Sequence, residues 1–416
     1  MSAAYAPESP NAPPRSDITI GLAAILRLAY EGKDLQGLWA ELHARVTADP
    51  LDTAALMDMS VVAQAANNRD QSLALQAAAL QFNRVYRRPH GRGDGLKVAA
   101  FVTLGDFMAN TPIDFLLLGS DIDLRLCFVD AETPDLSFVP DHDVAFLAVG
   151  ESAENRPVLE NCARLLAGRR VLNGDAARIA GLTRDGVSAL LAGEPTLYAP
   201  AAHRIDRQDL GRLALGIVQP AELQADLAWP IIARPIGTHA GQGMEKLDSR
   251  EAVAAYLEGR PEPRFYISPF VDYSGPDGLF RKQRVAFIDG RAFPSHYAVQ
   301  PHWMVHYLSA EMTDRPERRA EEAAWMGDFD VDFARRHAAA FEALHRRLGL
   351  DYFGIDCAEL PDGRLLVFEV DVAMIVHDLD PVEVFPYKKP AMRRLFEAFQ
   401  AMLASAASAT KSSISS

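Results

Sequence analysis

Cysteine is scarce in this chain of 416 residues, which contains only three. Cys127, Cys162 and Cys357 are scattered along the sequence and odd in number. They therefore exclude a disulfide framework or a cysteine-ligated zinc site as the basis of the fold. A reducing environment suits such a chain, and we expect a cytoplasmic protein.

Positive charge and long apolar runs are also in short supply. The chain has 42 Lys and Arg against 56 Asp and Glu, a formal net charge of −14, so it repels a phosphate backbone. No segment approaches the roughly 18 to 20 uninterrupted apolar residues of a membrane span. Residues 1–17 contain four prolines and no apolar signal-peptide core. We expect no nucleic acid and no membrane among the partners.

The composition changes along the chain and predicts five segments. Residues 1–16 are rich in Pro, Ala, Ser and Asn, and residues 404–416 are almost entirely Ala, Ser and Thr, so both are predicted to be disordered tails. Between them we predict a helical region over 17–90, a small α/β domain over 96–200 and a larger domain over 201–403.

The predicted helical region has apolar residues at helical spacing from Ile18 to about Tyr86, and Asp49-Pro50-Leu51-Asp52 separates two of its helices. Its Asp-Pro helix start and Ala-rich faces resemble one or two tetratricopeptide-type helical hairpins, although the segment is too short for a repeat array. The resemblance leaves two roles open with equal weight, a docking surface for a protein or peptide and a packing cap.

Short apolar runs then alternate with amphipathic segments, which is the pattern of a small doubly wound α/β unit. Buried parallel strands are predicted over 98–104, 122–129 and 144–149, with helices over 112–118 and 157–166.

Two loops of this unit are candidates for ligand binding. The glycine-rich segment over 91–95 precedes the first strand, whereas a phosphate-binding fingerprint follows a strand, so a flexible linker is favoured there. The loop over 105–112 does follow a strand, at the edge where α/β sheets bind ligands. Its Asn110 and Thr111 are candidates for substrate contact or for capping the next helix.

The most informative segment is predicted to be a β-hairpin around Asp362-Gly363. A two-residue loop there places Asp356 opposite Glu369, and Asp371 shares the face of Glu369 because side chains alternate along a strand. Three carboxylates on one patch repel each other unless a cation lies among them, and oxygen ligands favour Mg²⁺ or Mn²⁺. We therefore predict a metal site that carries nucleotide phosphates, with a solvated acidic face as the alternative.

Two further segments place cations beside glycines or at a strand end. Over 229–244, an apolar strand ends at Arg234 and runs into a Gly-rich loop, which lets backbone N–H groups approach phosphate oxygens. Over 281–284, three cations in four residues of an acidic chain require an anion nearby. That anion is one of the carboxylates or a bound phosphate, and an exposed basic strand end is the alternative.

Taken in this order, the segments from about residue 171 to 396 resemble the ATP-grasp superfamily, of the glutathione synthetase, D-alanine ligase and ribosomal-peptide-modifying ligase kind. The resemblance implies an α+β fold in which an ATP-grasp domain follows a small α/β pre-ATP-grasp domain and the N-terminal helical hairpin region. It also implies ATP and Mg²⁺ (or Mn²⁺) as cofactors.

The resemblance assigns roles to residues that match the family's motifs. Asn173 opens a segment that leads to a nucleotide-binding cation at Arg184, and Arg234 is the second such cation. Arg284 corresponds to the arginine that steadies the transferring phosphoryl group, so Arg234 and Arg284 are the catalytic candidates. The other implied cofactor-binding residues are Gly237, Gly241, Gly243, Ser268, Phe270, Val271 and Asp272, and the implied metal ligands are Asp356, Glu369 and Asp371.

Three positions depart from the family's pattern. Arg184 stands where Lys is usual, and Lys282 stands where the family usually has an acidic residue. Asp371 stands where Asn is commoner, and its extra negative charge favours a tighter or a second metal ion.

The segment over 294–307 lies where such ligases present substrate-facing residues, and with 376–378 and 387–389 it resembles a subgroup that carries an N-terminal helical-repeat segment. His302 and His306 are four residues apart, but Pro301 and the aromatic neighbours favour a strand or loop, which argues against a helical zinc pair. The substrate candidates are Asn110, Thr111, Arg281, Lys282, His302, His306 and His377.

The implied activity is an ADP-forming ligase that activates a carboxylate as an acyl phosphate and joins it to an amine or a related nucleophile. The implied partners are a small-molecule carboxylate and an amine, with an amino acid or a peptide as the candidate substrate. A homodimer is a further assembly to be tested. Two alternatives are a small-molecule kinase of the same fold and a nucleotide-binding adaptor that uses the helical segment.

Overall fold

The structure is a computed structural model that describes residues 16–238 and 241–414. Its helices are α1 (Leu22–Tyr30), α2 (Leu35–Ala48), α3 (Thr53–Ala65), α4 (Arg69–Leu80), α5 (Ile113–Leu116), α6 (Arg156–Leu165), α7 (Ala176–Ala180), α8 (Arg184–Leu191), α9 (Arg207–Ala214), α10 (Pro220–Leu223), α11 (Arg250–Glu258), α12 (Pro316–Gly327), α13 (Phe333–Arg336), α14 (Ala338–Leu348) and α15 (Lys388–Ile414). Its strands are β1 (Val85–Pro89), β2 (Lys97–Val102), β3 (Asp123–Phe128), β4 (Val144–Leu147), β5 (Leu197–Tyr198), β6 (His203–Asp206), β7 (Ile231–Pro235), β8 (Glu245–Leu247), β9 (Arg264–Pro269), β10 (Phe280–Ile288), β11 (Arg291–Gln300), β12 (Tyr352–Glu359) and β13 (Leu365–Asp371).

Helices α1 to α4 form the N-terminal region, and short polar side chains fix where three of them begin. Asp34, Asp52 and Asn68 each accept a hydrogen bond from a backbone N–H in the first turn of α2, α3 and α4. The predicted break at 49–52 lies between α2 and α3. The prediction that helix continues to about residue 86 is wrong, because β1 begins at Val85 and pairs antiparallel with β3.

The first sheet has the strand order β1-β3-β2-β4. Strand β2 pairs in parallel with both β3 and β4, which confirms the three predicted parallel strands. Such strands are buried on both faces and are therefore apolar throughout, as in β4, where every residue is buried.

The middle sheet has the order β11-β10-β12-β13-β5 and carries the candidate site. Side chains alternate between its two faces, so Phe287 and Phe353 pack with Phe341 of α14. Their neighbours Ile288 and Tyr352 belong instead to the cluster that contains α15. Helices on both sides thus fix the position of β10 and β12.

The third sheet has the order β6-β9-β7-β8 and packs against α9 and α11. Its core includes Ile231 and Phe265 from the strands and Leu210 and Val253 from the helices, all of them almost fully buried. This sheet carries Arg234 at the end of β7.

The chain terminus differs from the prediction. Residues 404–416 were expected to be a tail, but α15 continues to Ile414, and Leu403 and Ala407 are buried. Alanine is a strong helix former, and its small side chain packs closely, so an Ala-rich sequence is compatible with a docked helix. Residues 1–15 of the predicted N-terminal tail lie outside the described residues.

Among the described residues, no helix combines the length and the hydrophobicity that crossing a bilayer requires.

Docking of α15 on the first sheet yields a stability prediction. Phe399 is fully buried, and its ring centroid lies 5.5 Å from that of Phe146 in β4 and 5.4 Å from that of Tyr352 in β12. Phe399→Ala should lower the free energy of unfolding by about 3–5 kcal/mol, since it leaves a cavity between three elements. Urea denaturation measures the change. The exposed Arg393→Ala on the same helix should stay within about 0.5 kcal/mol, and equal losses would contradict the packing.

Candidate active site

The β12–β13 hairpin positions the three predicted carboxylates. Asp356 pairs with Glu369, as predicted, and Asp371 pairs with Gly354. The predicted two-residue turn is wrong: Leu360 and Arg364 are hydrogen-bonded across a loop of three residues, with Gly363 at φ 83°. A register shift next to Asp356 compensates for the longer loop and restores the predicted pairing.

Asp356 is held by two cations from β10. Arg284 Nε lies 2.8 Å from Asp356 Oδ1, and Arg284 Nη2 lies 3.1 Å from Oδ2. Lys282 Nζ lies 2.9 Å from the same Oδ2. Burial opposes ionisation of Asp356, but Arg284 and Lys282 outweigh it and hold the pKa of this carboxyl well below its usual range.

Glu369 is held by a cation from a different element. Arg184, the first residue of α8, donates from Nη2 to Glu369 Oε1 at 2.7 Å. Loss of solvent opposes ionisation of Glu369, and Arg184 lowers its pKa below the usual value. Arg234 from β7 contributes in the same direction. The two predicted nucleotide cations, Arg184 and Arg234, therefore lie on the same side of the hairpin as Glu369.

Arg234 is the most enclosed cation of the site. Its side chain donates from Nη2 to the carbonyl and hydroxyl oxygens of Thr238, which follows the first glycine of the Gly-rich segment. Burial, with Arg184 close by, lowers the pKa of Arg234 to about 10, so the guanidinium stays charged at neutral pH. Its Nε is buried and has no hydrogen-bond partner among the described residues. An acceptor oxygen placed there would satisfy this group.

Asp371 has a different electrostatic environment from its two neighbours. Its carboxylate accepts a 2.8 Å hydrogen bond from the backbone N–H of Ala373. Loss of solvent is the main cause that raises the pKa of Asp371 to about 7, and the carboxylates of Glu369 and Glu151 raise it further. Glu151, which follows β4, was not predicted. Asp371 itself makes no ion pair among the described residues, although the charge of Arg284 lowers its pKa.

The three carboxylates thus divide into two environments. Among residues 16–238 and 241–414, no three acidic, histidine or cysteine side chains converge closely enough to hold one metal ion together. This differs from the predicted patch of three ligands, because Asp356 is turned toward Lys282 and Arg284. Glu369 lies near the nucleotide cations Arg184 and Arg234, and Asp371 lies near Glu151 and Arg284.

The Gly-rich segment after Arg234 needs glycine at each predicted position. Gly237, Gly241 and Gly243 have φ of 84°, 73° and 68°, a region that other residues rarely adopt. A Cβ on Gly243 would lie 2.9 Å from Pro235 Cδ. Residues 239–240, between these glycines, lie outside the described residues.

The predicted adenine segment begins in β9, where Ser268 pairs with Ile232 of β7. The next residue but one, Phe270, lies under the ammonium of Lys246 at 4.6 Å and beside the Trp303 ring at 5.9 Å. Val271 is half-buried, and Asp272 accepts a 2.9 Å hydrogen bond from Ser274 N–H. Lys246 and Trp303 were not predicted as site residues, although aromatic residues interleaved with cations are a signal for base stacking.

A buried polar network lies near Arg284 and reaches it through His296 of β11. Its centre is Lys388, which donates to Tyr307 Oη and to Asp380 Oδ2 at 3.0 Å. Its ammonium also lies 3.3 Å from Glu322, which is fully buried. His296 stacks on the Tyr307 ring at 4.6 Å and pairs across the sheet with Arg284. Burial, followed by Arg284, lowers the pKa of His296 well below its usual value.

The remaining substrate candidates are distributed between the site and the scaffold. Asn110 bonds both backbone groups of Thr103, and Thr111 donates to Val372 O, so they hold the loop instead of capping a helix. Arg281 pairs with Asp277 and Glu321 on the strand face opposite Lys282.

The three candidate histidines are also spread out. His302 accepts from Met304 N–H, and His377 accepts from Leu379 N–H and packs between Tyr30 and Phe115. His306 is close enough to Lys282 and Arg284 for burial and these charges to lower its pKa. His306 and His377 both lie near Arg284, and His306 also lies near Lys282.

No protein-family model matches the chain, and no curated protein does so either. Among solved structures, it is similar to a RimK-domain ATP-grasp protein from Sphaerobacter thermophilus, at 15% identity and a TM-score of 0.43 over 74% of this chain and 99% of the other. It is similar to D-alanine–D-alanine ligase from Bacillus anthracis at 12% identity and a TM-score of 0.45, over 77% and 99%. It is also similar to the D-alanine–D-alanine ligase from Coxiella burnetii, at 11% identity and a TM-score of 0.45, over 77% of this chain and 98% of the other. Similarity at this level assigns no activity, so a function has to rest on the geometry of the site.

The buried network yields a second stability prediction. Lys388→Met should lower the free energy of unfolding by about 3–5 kcal/mol, because it leaves Glu322 and Asp380 without their cation in a buried setting. In a Glu322→Gln background the same change should cost less, since one of the two charges is gone. Urea denaturation of the wild type, the two single variants and the double variant gives the coupling free energy between Lys388 and Glu322. Additive losses would contradict the network, and exposed Lys389→Met is the matched control.

Proposed function

We propose that this chain is an ATP-dependent, ADP-forming ligase of the ATP-grasp kind that joins a carboxylate to an amine or a related nucleophile. The observation that carries the proposal is the convergence of Arg184 and Arg234 on Glu369, two residues before Asp371 on β13. Cations that bind phosphate and carboxylates that bind a divalent cation are the two components of a nucleoside triphosphate site.

The nucleotide's phosphates are proposed to bind at Arg184 and Arg234. The buried Nε of Arg234 lacks an acceptor among the described residues, and a phosphate oxygen supplies one. The adenine ring is proposed to bind beside Phe270 and Trp303, whose apolar faces suit a base. Ser268 and Val271 belong to the same segment as Phe270 and are proposed to contact the adenine ring. Asp272 is the proposed ribose contact.

A divalent cation, Mg²⁺ or Mn²⁺, is proposed to bind to Glu369 and Asp371. The residues present fit such an ion, because their oxygens are hard donors and a divalent cation offsets the mutual repulsion of Asp371, Glu369 and Glu151. Mg²⁺ in proteins commonly takes one or two carboxylates and completes its shell with water and phosphate. When bound, such an ion neutralises charge on the phosphates.

The proposed reaction has two balanced steps. A substrate carboxylate oxygen attacks the γ-phosphorus of ATP, and the bond from that phosphorus to the β,γ-bridging oxygen breaks. ADP leaves, and the substrate is now an acyl phosphate. The lone pair of the amine then attacks the acyl carbon, inorganic phosphate leaves, and the amine's proton is lost. Arg284, held in place by Asp356 and by Ile375 O at 3.1 Å, is proposed to stabilise charge on the phosphoryl group in flight.

No covalent protein nucleophile is required by these steps. Cys127, Cys162 and Cys357 are all buried, and burial raises the pKa of each thiol. Catalysis on this account is positioning together with neutralisation of charge.

The metal carboxylate gives the first functional prediction. Glu369→Gln should reduce ATP turnover by about 10²-fold or more while the circular dichroism spectrum and melting temperature stay close to those of the wild type, since it removes one ligand charge from a half-buried site. ADP release in the presence of Mg²⁺ and pooled amino acids and peptides measures it. Exposed Glu258→Gln is the matched control. Wild-type turnover in Glu369→Gln would overturn the site, and nucleotide binding without any wild-type turnover would favour the adaptor.

Trapping of the intermediate separates a ligase from a kinase. With the active carboxylate identified in that screen, hydroxylamine should convert the acyl phosphate into a hydroxamate, and Arg284→Ala should reduce its formation by about 10²-fold, as for one lost transition-state donor. Affinity for AMP-PNP should fall by less than about threefold, because Arg184 and Arg234 hold the ground state. Mass spectrometry detects the hydroxamate. A stable phosphorylated product without hydroxamate would mean a kinase.

A further inference from the structure

We propose that the ammonium group of Lys282 takes the place of a divalent cation at Asp356, so that the site binds one divalent cation, at Glu369 and Asp371. This inference rests on the proposed function and names which carboxylates serve the metal. It replaces the predicted set of three ligands with an ion pair at one end of the site and a metal at the other.

The strand geometry brings Lys282 to Asp356. Lys282 and Arg284 are two residues apart on β10 and therefore project from the same face, while Arg284 is directly opposite Asp356 on β12. Both oxygens of Asp356 consequently have charged donors: Oδ1 has Arg284, and Oδ2 has Arg284 and Lys282. Three of about four acceptor positions of the carboxylate are in use.

The charge at Asp356 is already more than neutralised. One carboxylate lies against two full positive charges, with the Asp356 side chain 5% exposed and the Lys282 side chain 19% exposed. Charges enclosed in this way are screened little by salt, so a divalent cation that shared this carboxylate would be repelled by both neighbours. A metal at Asp356 therefore requires that Lys282 moves away.

The opposite holds at the other end of the site. Asp371 accepts from the backbone N–H of Ala373, a neutral donor, and makes no ion pair among the described residues, while Glu369 and Glu151 are its negative neighbours and the charge of Arg284 also reaches it. Arg184 pairs with Glu369 and neutralises that one charge. Lys282 adds positive charge beside Asp356, whereas Asp371 adds negative charge beside Glu369. A cation therefore fits at Glu369 and Asp371 and does not fit at Asp356.

Counting bound Mn²⁺ tests the inference without relying on turnover. Full-length protein is titrated with Mn²⁺ at saturating AMP-PNP, free Mn²⁺ is measured by electron paramagnetic resonance, and AMP-PNP binding is measured separately by calorimetry. We expect one Mn²⁺ per chain in the wild type. Two Mn²⁺ with AMP-PNP bound would overturn the inference and leave the proposed function intact, whereas absence of AMP-PNP binding would overturn both.

Variants identify the residues responsible. Asp371→Asn should weaken Mn²⁺ binding at least tenfold, whereas Asp356→Asn should change it by less than about threefold. A tenfold loss in Asp356→Asn would make Asp356 a ligand and overturn the inference. Lys282→Gln should admit a second Mn²⁺, and a count that stays at one would show that the ammonium does not exclude it. Exposed Lys389→Gln is the matched control, and this variant should bind one Mn²⁺ per chain. The wild-type count decides the question where a variant does not fold.

Discussion

Negative charge gathered at one end of the β12–β13 hairpin is the constraint around which the site is built. Asp356, Glu369 and Asp371 are buried or half-buried, and a carboxylate in such a position is stable only where cations or donors reach it. Each finds a different partner: β10 supplies Arg284 and Lys282, α8 supplies Arg184, and Asp371 has a backbone N–H and two acidic neighbours. Asp371 is the one of the three that makes no ion pair among the described residues, although the charge of Arg284 reaches it, so it is the carboxylate most open to an ion from solution.

The same requirement links the three sheets. Arg284 and Lys282 belong to the middle sheet, Arg234 to the third sheet, and Glu151 follows β4 of the first. Thr111 of the first α/β unit donates to Val372 O, immediately after Asp371. The end of the hairpin is therefore where elements from the whole chain meet. An active site that binds a nucleotide on one side and a second substrate on the other needs side chains from several elements at one place.

How far the site follows from sequence depends on the range of each interaction. The alternation of a strand and the Asp-Gly turn signal predicted that Asp356 faces Glu369, although the turn has one more residue than expected and a register shift restores the pairing. The network of Lys388, Glu322 and Asp380 was not predicted, because its members are up to 66 residues apart along the chain and no local pattern connects them.

The fold followed from sequence to a similar degree. Parallel strands of the first sheet were predicted from their apolar runs, whereas β1 was included in the helical region because its five residues are too few to establish a period of two. The last turns of α15 were assigned to a tail because Ala and Ser carry no strong apolar pattern. Tertiary packing of Leu403 and Ala407 decides that helix, and composition alone does not reveal it.

A crystal structure of the protein with Mg²⁺ and AMP-PNP tests the central claim most directly. We expect phosphate oxygens within hydrogen-bonding distance of Arg184 and Arg234, one of them satisfying the buried Nε of Arg234. We also expect one metal ion on Glu369 and Asp371, with Lys282 still paired to Asp356. A nucleotide bound elsewhere, for example in the cavity of about 130 Å³ behind the 105–112 loop, would contradict the account.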